Sequence, residues 1–240
     1  AVLGGDCHDY AVLDMEQVFL HSVDYLTGNF KGCSYLAGFY EHDMASALWE
    51  LSEEDGLLDA YKKELALHGK TPDEMKPVVR ITTSDTGSGG ANIFPMLVSG
   101  KENTTISLGS PLRLGHRNGR SLSEFDDQLK LLYGKYQLAV GNLVKLLKVE
   151  VMNPVNCMKG VMDKLGIARK YAAEAVDLFV AQYGEGPCTA HDIYFGISEI
   201  LYMLACEGEE GGRIARMEET IARALSVNWR EYDVPGAYRW

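Results

Sequence analysis

The sequence has no C-x-x-C pair, no excess of positive charge, and no apolar run near the roughly 18 residues that a membrane span needs. Each absence excludes something. The five cysteines (Cys7, Cys33, Cys157, Cys188, Cys206) are odd in number and scattered over the chain, whereas a secreted disulfide scaffold is shorter and even-numbered. They read as small buried hydrophobes in a reducing compartment. The six histidines (His8, His21, His42, His68, His116, His191) lack the H-x3-5-H spacing of a zinc site, so no metal and no cofactor is expected. The opening residues lack a basic region followed by an apolar core, so no signal peptide is visible. They also lack an initiator methionine, as expected for a trimmed or processed start with an upstream segment missing. The glycines follow no G-X-Y period, which excludes a collagen-like chain. With 23 basic and 34 acidic residues the net charge is −11, which argues against a generic nucleic-acid or membrane coat.

What is present is an ordinary globular composition, 46% hydrophobic and 10% aromatic over 240 residues. That is too apolar for disorder and long enough for one large or two small domains. Met15, Val18, Phe19, Val23 and Leu26 fall at helical spacing and predict an amphipathic helix over 14–26. The stretch 34–51 is strand-like, and a short helix is expected from Ser52 towards Gly69, with acidic residues in its first turn. The middle third is β-branched. Strands are expected at 78–83, 92–98, 104–108 and 112–116, with a hairpin turn at 99–103. After Gly119 the pattern turns helical. Ser121 and Glu124 form a capping box ahead of one long apolar face ending near Met152. Asn153-Pro154 restarts a helix that Gly166 closes. Another helix follows over 168–183, then one capped by Thr189 and Asp192, a break at Gly211-Gly212, and a last helix over 214–225. The aromatic tail from Trp229 is expected to pack back on the body. The order is α+β: a small, mostly antiparallel sheet in the middle of the chain and an all-helical C-terminal half. Residues 1–120 form the α+β part and 121–240 the helical part packed on it as one unit.

Catalytic motifs are weak. The loop 84–90 holds Asp85, Gly87, Gly89 and Gly90, but no lysine follows the glycines and the next element is a strand. Both the phosphate loop and the dinucleotide fingerprint therefore fail. Asp85-Thr86-Gly87 echoes the aspartic-protease triplet without its hydrophobic context. The loop is read as turn chemistry, with ligand contact as the alternative. Cys188 and His191 stand three apart at a helix start, where a thiolate would be favoured; the alternative is a packed Cys188 beside the Thr189 cap.

Charge is unevenly placed. Residues 76–120 carry six basic side chains (Lys76, Arg80, Lys101, Arg113, Arg117, Arg120) against Asp85 and Glu102, a balance of +4, and the rest of the chain balances at −15. Arg80, Lys101, Arg113, His116, Arg117 and Arg120 are the candidate contacts to nucleic acid or an anionic partner. The alternative is that these arginines pair with the protein's own carboxylates.

Several short stretches resemble the phage/plasmid-like "domain of unknown function 932" family: Val78 to Gly87, Leu112 to Gly119, Thr189-Ala190-His191-Asp192-Ile193-Tyr194, and Arg213 to Trp229. The resemblance spans roughly residues 75–235. It departs from the family pattern where His116-Arg117 stands in place of a usual cysteine. It implies a bacteriophage, prophage or plasmid origin and the cytoplasm of a bacterial host, and it supplies no catalytic residues. Three functional expectations result. The first is a non-catalytic protein that binds nucleic acid or a nucleoprotein, accessory to replication, recombination or defence evasion, and that self-associates as a homo-oligomer. The second is an acidic DNA mimic that occupies a host defence protein. The third is an enzyme of unknown class centred on the 84–90 loop, with His116 or His191 as base. None of the three involves a membrane.

Overall fold

A computed structural model describes residues 13–41, 44–52, 56–70, 75–84, 90–99, 104–115 and 121–238, without the side chains of 99 and 104. Helix α1 (Met15–Asn29) begins where the Asp14 carboxylate accepts from Gln17 N at 3.0 Å. The strand-like stretch that follows is two strands, β1 (Ser34–Glu41) and β2 (Met44–Glu50), paired antiparallel with a bulge between Tyr35 and Ala37. A short helix α2 (Asp59–Leu67) leads to β3 (Met75–Thr83), β4 (Ala91–Ser99), β5 (Thr104–Ser107) and β6 (Leu112–Leu114). All pairings are antiparallel in the order β1-β2-β3-β4-β5, and β6 lies beside β5 on the free side of β4. The sheet is thus larger than expected and begins at residue 34.

The C-terminal half comprises α3 (Leu122–Lys130), α4 (Leu132–Leu147), α5 (Pro154–Leu165), α6 (Arg169–Tyr183), α7 (Ala190–Cys206) and α8 (Gly211–Ala222). The N-terminal half holds the two helices expected of it, α1 and α2. One correction applies. The C-terminal half is not all helical, because β7 (Glu150–Val151) pairs antiparallel with β8 (Cys188–Thr189). That two-residue pairing joins links 38 residues apart and leaves no local pattern to read. The single long face read after Ser121 is two helices broken at Leu131, which is 52% exposed. The apolar period runs across the break, so the sequence does not show it.

Sheet alternation sorts side chains onto two faces. Ala47, Trp49, Val79, Ile81, Ala91, Ile93 and Leu97 point into the main core, a continuous cluster running from Leu13 to Trp229 through both halves of the chain. Buried tyrosines fix the helices to the sheet: Tyr136 of α4 donates to the carbonyl of Met96, and Tyr194 of α7 donates to that of Ser107 at 2.6 Å. The opposite face carries a smaller cluster, Leu48, Val78, Phe94, Met96 and Val98, with Arg80, Thr82 and Asn92 alternating among them.

The caps hold where the sequence placed them. Glu124 accepts from Ser121 N at 3.2 Å, and Asp192 accepts from Thr189 N at 3.0 Å. Gly166 closes α5 with φ 75°, a left-handed conformation that costs glycine little. The tail does pack back: Asp233 accepts from Asn153 N at 2.7 Å, and Asn156 donates to the carbonyls of Val234 and Gly236.

Candidate anion-binding groove

Helix α8 lies across the second face of the sheet, and its start is built for close approach. A Cβ on Gly211 would stand 2.6 Å from the Phe39 ring, and Gly212 N donates to the Glu41 carboxylate at 2.9 Å. Gly211 and Gly212, read from sequence as a break, are the first residues of the helix. A turn and a half further on, Glu218 projects at the sheet. Its carboxylate accepts from Arg80 of β3 and from the Thr105 hydroxyl of β5. The next residue, Glu219, accepts from Arg113 of β6 at 2.6 Å.

These contacts divide the expected basic island. The Arg80 side chain is only 12% exposed and Glu218 only 5%. Burial pushes the Arg80 pKa down to about 10, so the guanidinium stays charged at neutral pH. Arg80 is therefore turned inward and does not belong to an exposed basic face. Arg113 does, with 61% of its side chain exposed. It stands on one wall of an open groove of about 490 Å³, with Ser110 and Pro111. The other wall is α8 and the turn after it, contributing Arg216, Glu219, Thr220 and Arg223. Three arginines and one glutamate thus line the groove. The sequence reading missed Arg216 and Arg223, which lie about a hundred residues beyond the basic window and meet Arg113 only through the fold.

The other candidates fall differently. Asp85, Gly87, Gly89, Lys101, His116, Arg117 and Arg120 lie outside the described residues. Gly90 has a packing reason for being glycine: a Cβ there would overlap the backbone carbonyl of Leu114, where β6 meets β4. Cys188 and His191 do not form a nucleophile–base pair. His191 Nε2 is hydrogen-bonded to Tyr61 Oη at 2.5 Å, and the ring stacks on Phe195 at 4.4 Å. Burial, and then the Asp192 charge, push the Cys188 thiol up to about 12, so it is protonated and a poor nucleophile. Burial likewise holds the His191 pKa below its ordinary value, against the opposing pull of Asp192. Asp192 in turn is ion-paired with Lys70. This buried chain of Tyr61, His191, Asp192 and Lys70 ties α2 and the loop after it to the start of α7. Among the described residues no three metal-ligating side chains converge, and no helix is long and apolar enough to cross a membrane.

No protein-family model, curated protein or solved structure matches the chain. The resemblance to the domain of unknown function 932 family rests on its short motifs alone.

Proposed function

We propose that the chain is a non-catalytic binding protein whose arginine groove takes the phosphates of nucleic acid or of a nucleoprotein. One observation carries this reading: Arg113, Arg216 and Arg223 line a single open groove with one acidic residue, Glu219, in a chain whose net charge is −11. Guanidinium forks match phosphate oxygens in a bidentate geometry, and an open groove admits a backbone rather than enclosing a small ligand. The resemblance to a phage and plasmid family is consistent with an accessory role in replication, recombination or defence evasion inside a bacterial host.

Fluorescence anisotropy with labelled single- and double-stranded DNA tests the reading. Three phosphate contacts give a log–log salt slope near −2.7 on duplex DNA, about a 40-fold loss between 50 and 200 mM salt. Replacing Arg113 and Arg223 together with Glu should abolish binding and leave the fold intact. Absence of binding by the wild-type protein, or binding unchanged in the double variant, refutes the proposal. The balance of −15 outside residues 76–120 favours a second reading, an acidic mimic of DNA. A mimic would bind a basic DNA-binding protein and ignore DNA itself.

A further inference from the structure

Acidic residues are spread through the chain, 34 in 240, yet residues 128–149 hold none and carry four lysines. That stretch is the end of α3 and all of α4. Its two outer lysines are engaged: Lys130 pairs with Asp127 at 2.8 Å, and Lys148 approaches Glu64 at 4.0 Å. Lys135 and Lys145 are exposed. Neither pairs with a carboxylate among the described residues, and Lys145 donates to the Asn142 side chain at 3.5 Å. Ten residues apart on a helix, the two stand about 15 Å apart along its axis and about 80° apart around it. Both therefore look out from one side of α4.

This side of α4 adjoins the groove. Asn142, three residues before Lys145, donates to the carbonyl of Leu108 at 3.3 Å. Leu108 opens the link to β6, and two residues on, Ser110 and Pro111 form a wall of the groove with Arg113. From 108 to 111 the backbone spans at most about 11 Å. The turn after α8, which carries Arg223, packs on α4 as well. The groove and the lysine side of α4 are thus tied to the same link and the same turn. Neither offers a base a stacking partner. Among the described residues no aromatic side chain lines the groove. On α4, Tyr133 is stacked on Phe30, and Leu138, 70% exposed, lies between the two lysines.

We propose that Lys135 and Lys145 continue the arginine groove into one track for the sugar–phosphate backbone of duplex DNA, read without regard to sequence. The inference rests on the groove being a phosphate site and adds to it the class of nucleic acid and two further contacts. A lysine ammonium meets phosphate as a point charge, whereas the arginines of the groove grip it as a fork. The 15 Å between the lysines is about four base pairs at 3.4 Å each. Single strands are held mainly by stacking their bases on aromatic side chains, which this track lacks. A duplex, whose bases are already stacked, needs only the charges.

Anisotropy titrations of the full chain with a labelled duplex of about 20 base pairs, at several salt concentrations, test the proposal. Five phosphate contacts give a log–log salt slope near −4.5, about a 500-fold loss between 50 and 200 mM, against about 40-fold for the three arginines alone. Lys135→Gln with Lys145→Gln should bring the slope back to about −2.7, with circular dichroism and melting temperature unchanged. Lys135→Arg with Lys145→Arg keeps both charges and should keep the steep slope. Duplexes of unrelated sequence should bind alike, and a single strand of the same length more weakly. A wild-type slope near −2.7, a steep slope that the glutamine pair leaves unchanged, or tighter binding of the single strand overturns the proposal and leaves the groove reading standing. A wild-type chain that binds no DNA, or that binds phosphatidylglycerol vesicles instead, overturns both.

Discussion

Replacing Glu218 by Gln tests how α8 is held on the sheet, and the structure sets the size of the effect. The change leaves the Arg80 guanidinium, 12% exposed, without its counter-charge in a face lined by Leu48, Phe94 and Met96. It also weakens the bond from the Thr105 hydroxyl. Removing one partner of a buried pair costs about 3–5 kcal/mol, chiefly as the penalty of the charge left behind. At about 2–4 °C per kcal/mol for a chain of this size, the melting temperature should fall by about 6–20 °C. Arg80→Met alone should fall in the same range, since it strands the Glu218 carboxylate. The double variant Arg80→Met with Glu218→Met removes both charges and should return to within about 1 kcal/mol of wild type, because well-packed apolar replacements of buried pairs are often neutral. Thermal and urea denaturation of all four proteins closes the cycle. Single variants that lose less than about 1 kcal/mol, or a double variant as unstable as the sum of the singles, would refute the reasoning. The same four proteins bear on binding. If Arg80 serves only to hold α8, the double variant keeps whatever nucleic-acid affinity the wild type has.

Lys70→Met should destabilise the protein by about 1–3 kcal/mol, since it leaves the buried Asp192 carboxylate with only its Thr189 and His191 neighbours; chemical denaturation measures it. His191 is held neutral by burial, so its folded pKa lies below the unfolded value near 6.5. The unfolded chain then binds the extra proton first, and stability should fall as pH drops below about 6.5, by at most about 1.4 kcal/mol per unit. His191→Gln should flatten that slope between pH 5 and 7, whereas an unchanged slope would remove His191 as its cause. Gly90→Ala should cost about 1–3 kcal/mol, because the new Cβ displaces β6 at Leu114. As β6 carries Arg113, the same substitution should weaken any binding in the groove more than its stability loss explains.

Elements with local chemical signals were legible in the sequence. The Ser121 box, Asn153-Pro154, Gly166 and the Thr189–Asp192 box each mark a helix end that the structure keeps, because a cap is decided by residues three or four apart. The β-branched runs at 78–83 and 92–98 likewise became the central strands. Features decided at long range were not legible. The β7–β8 pair and the seating of α8 depend on partners 37 to 138 residues away. The candidate site belongs to this second group. Its Arg113 lay in plain view inside the basic window, but Arg216 and Arg223 sat in an acidic stretch where nothing marked them.

The seating of α8 also changes what the charge asymmetry means. Counted along the chain, Arg80 and Arg113 are equivalent members of a +4 island. In the fold one helix treats them differently with adjacent residues: Glu218 takes Arg80 into a buried pair, while Glu219 meets Arg113 at the rim, where water screens the contact. A buried pair is tightly coupled and has no capacity left for a ligand. A rim pair with its arginine 61% exposed contributes at most about 1 kcal/mol, so an incoming phosphate can compete with Glu219 at little cost. The same helix then adds Arg216 and Arg223 to the rim, replacing the cation that it buried. The basic character of the groove is therefore a product of where α8 docks, and loosening that helix through Glu218 should weaken stability and binding together.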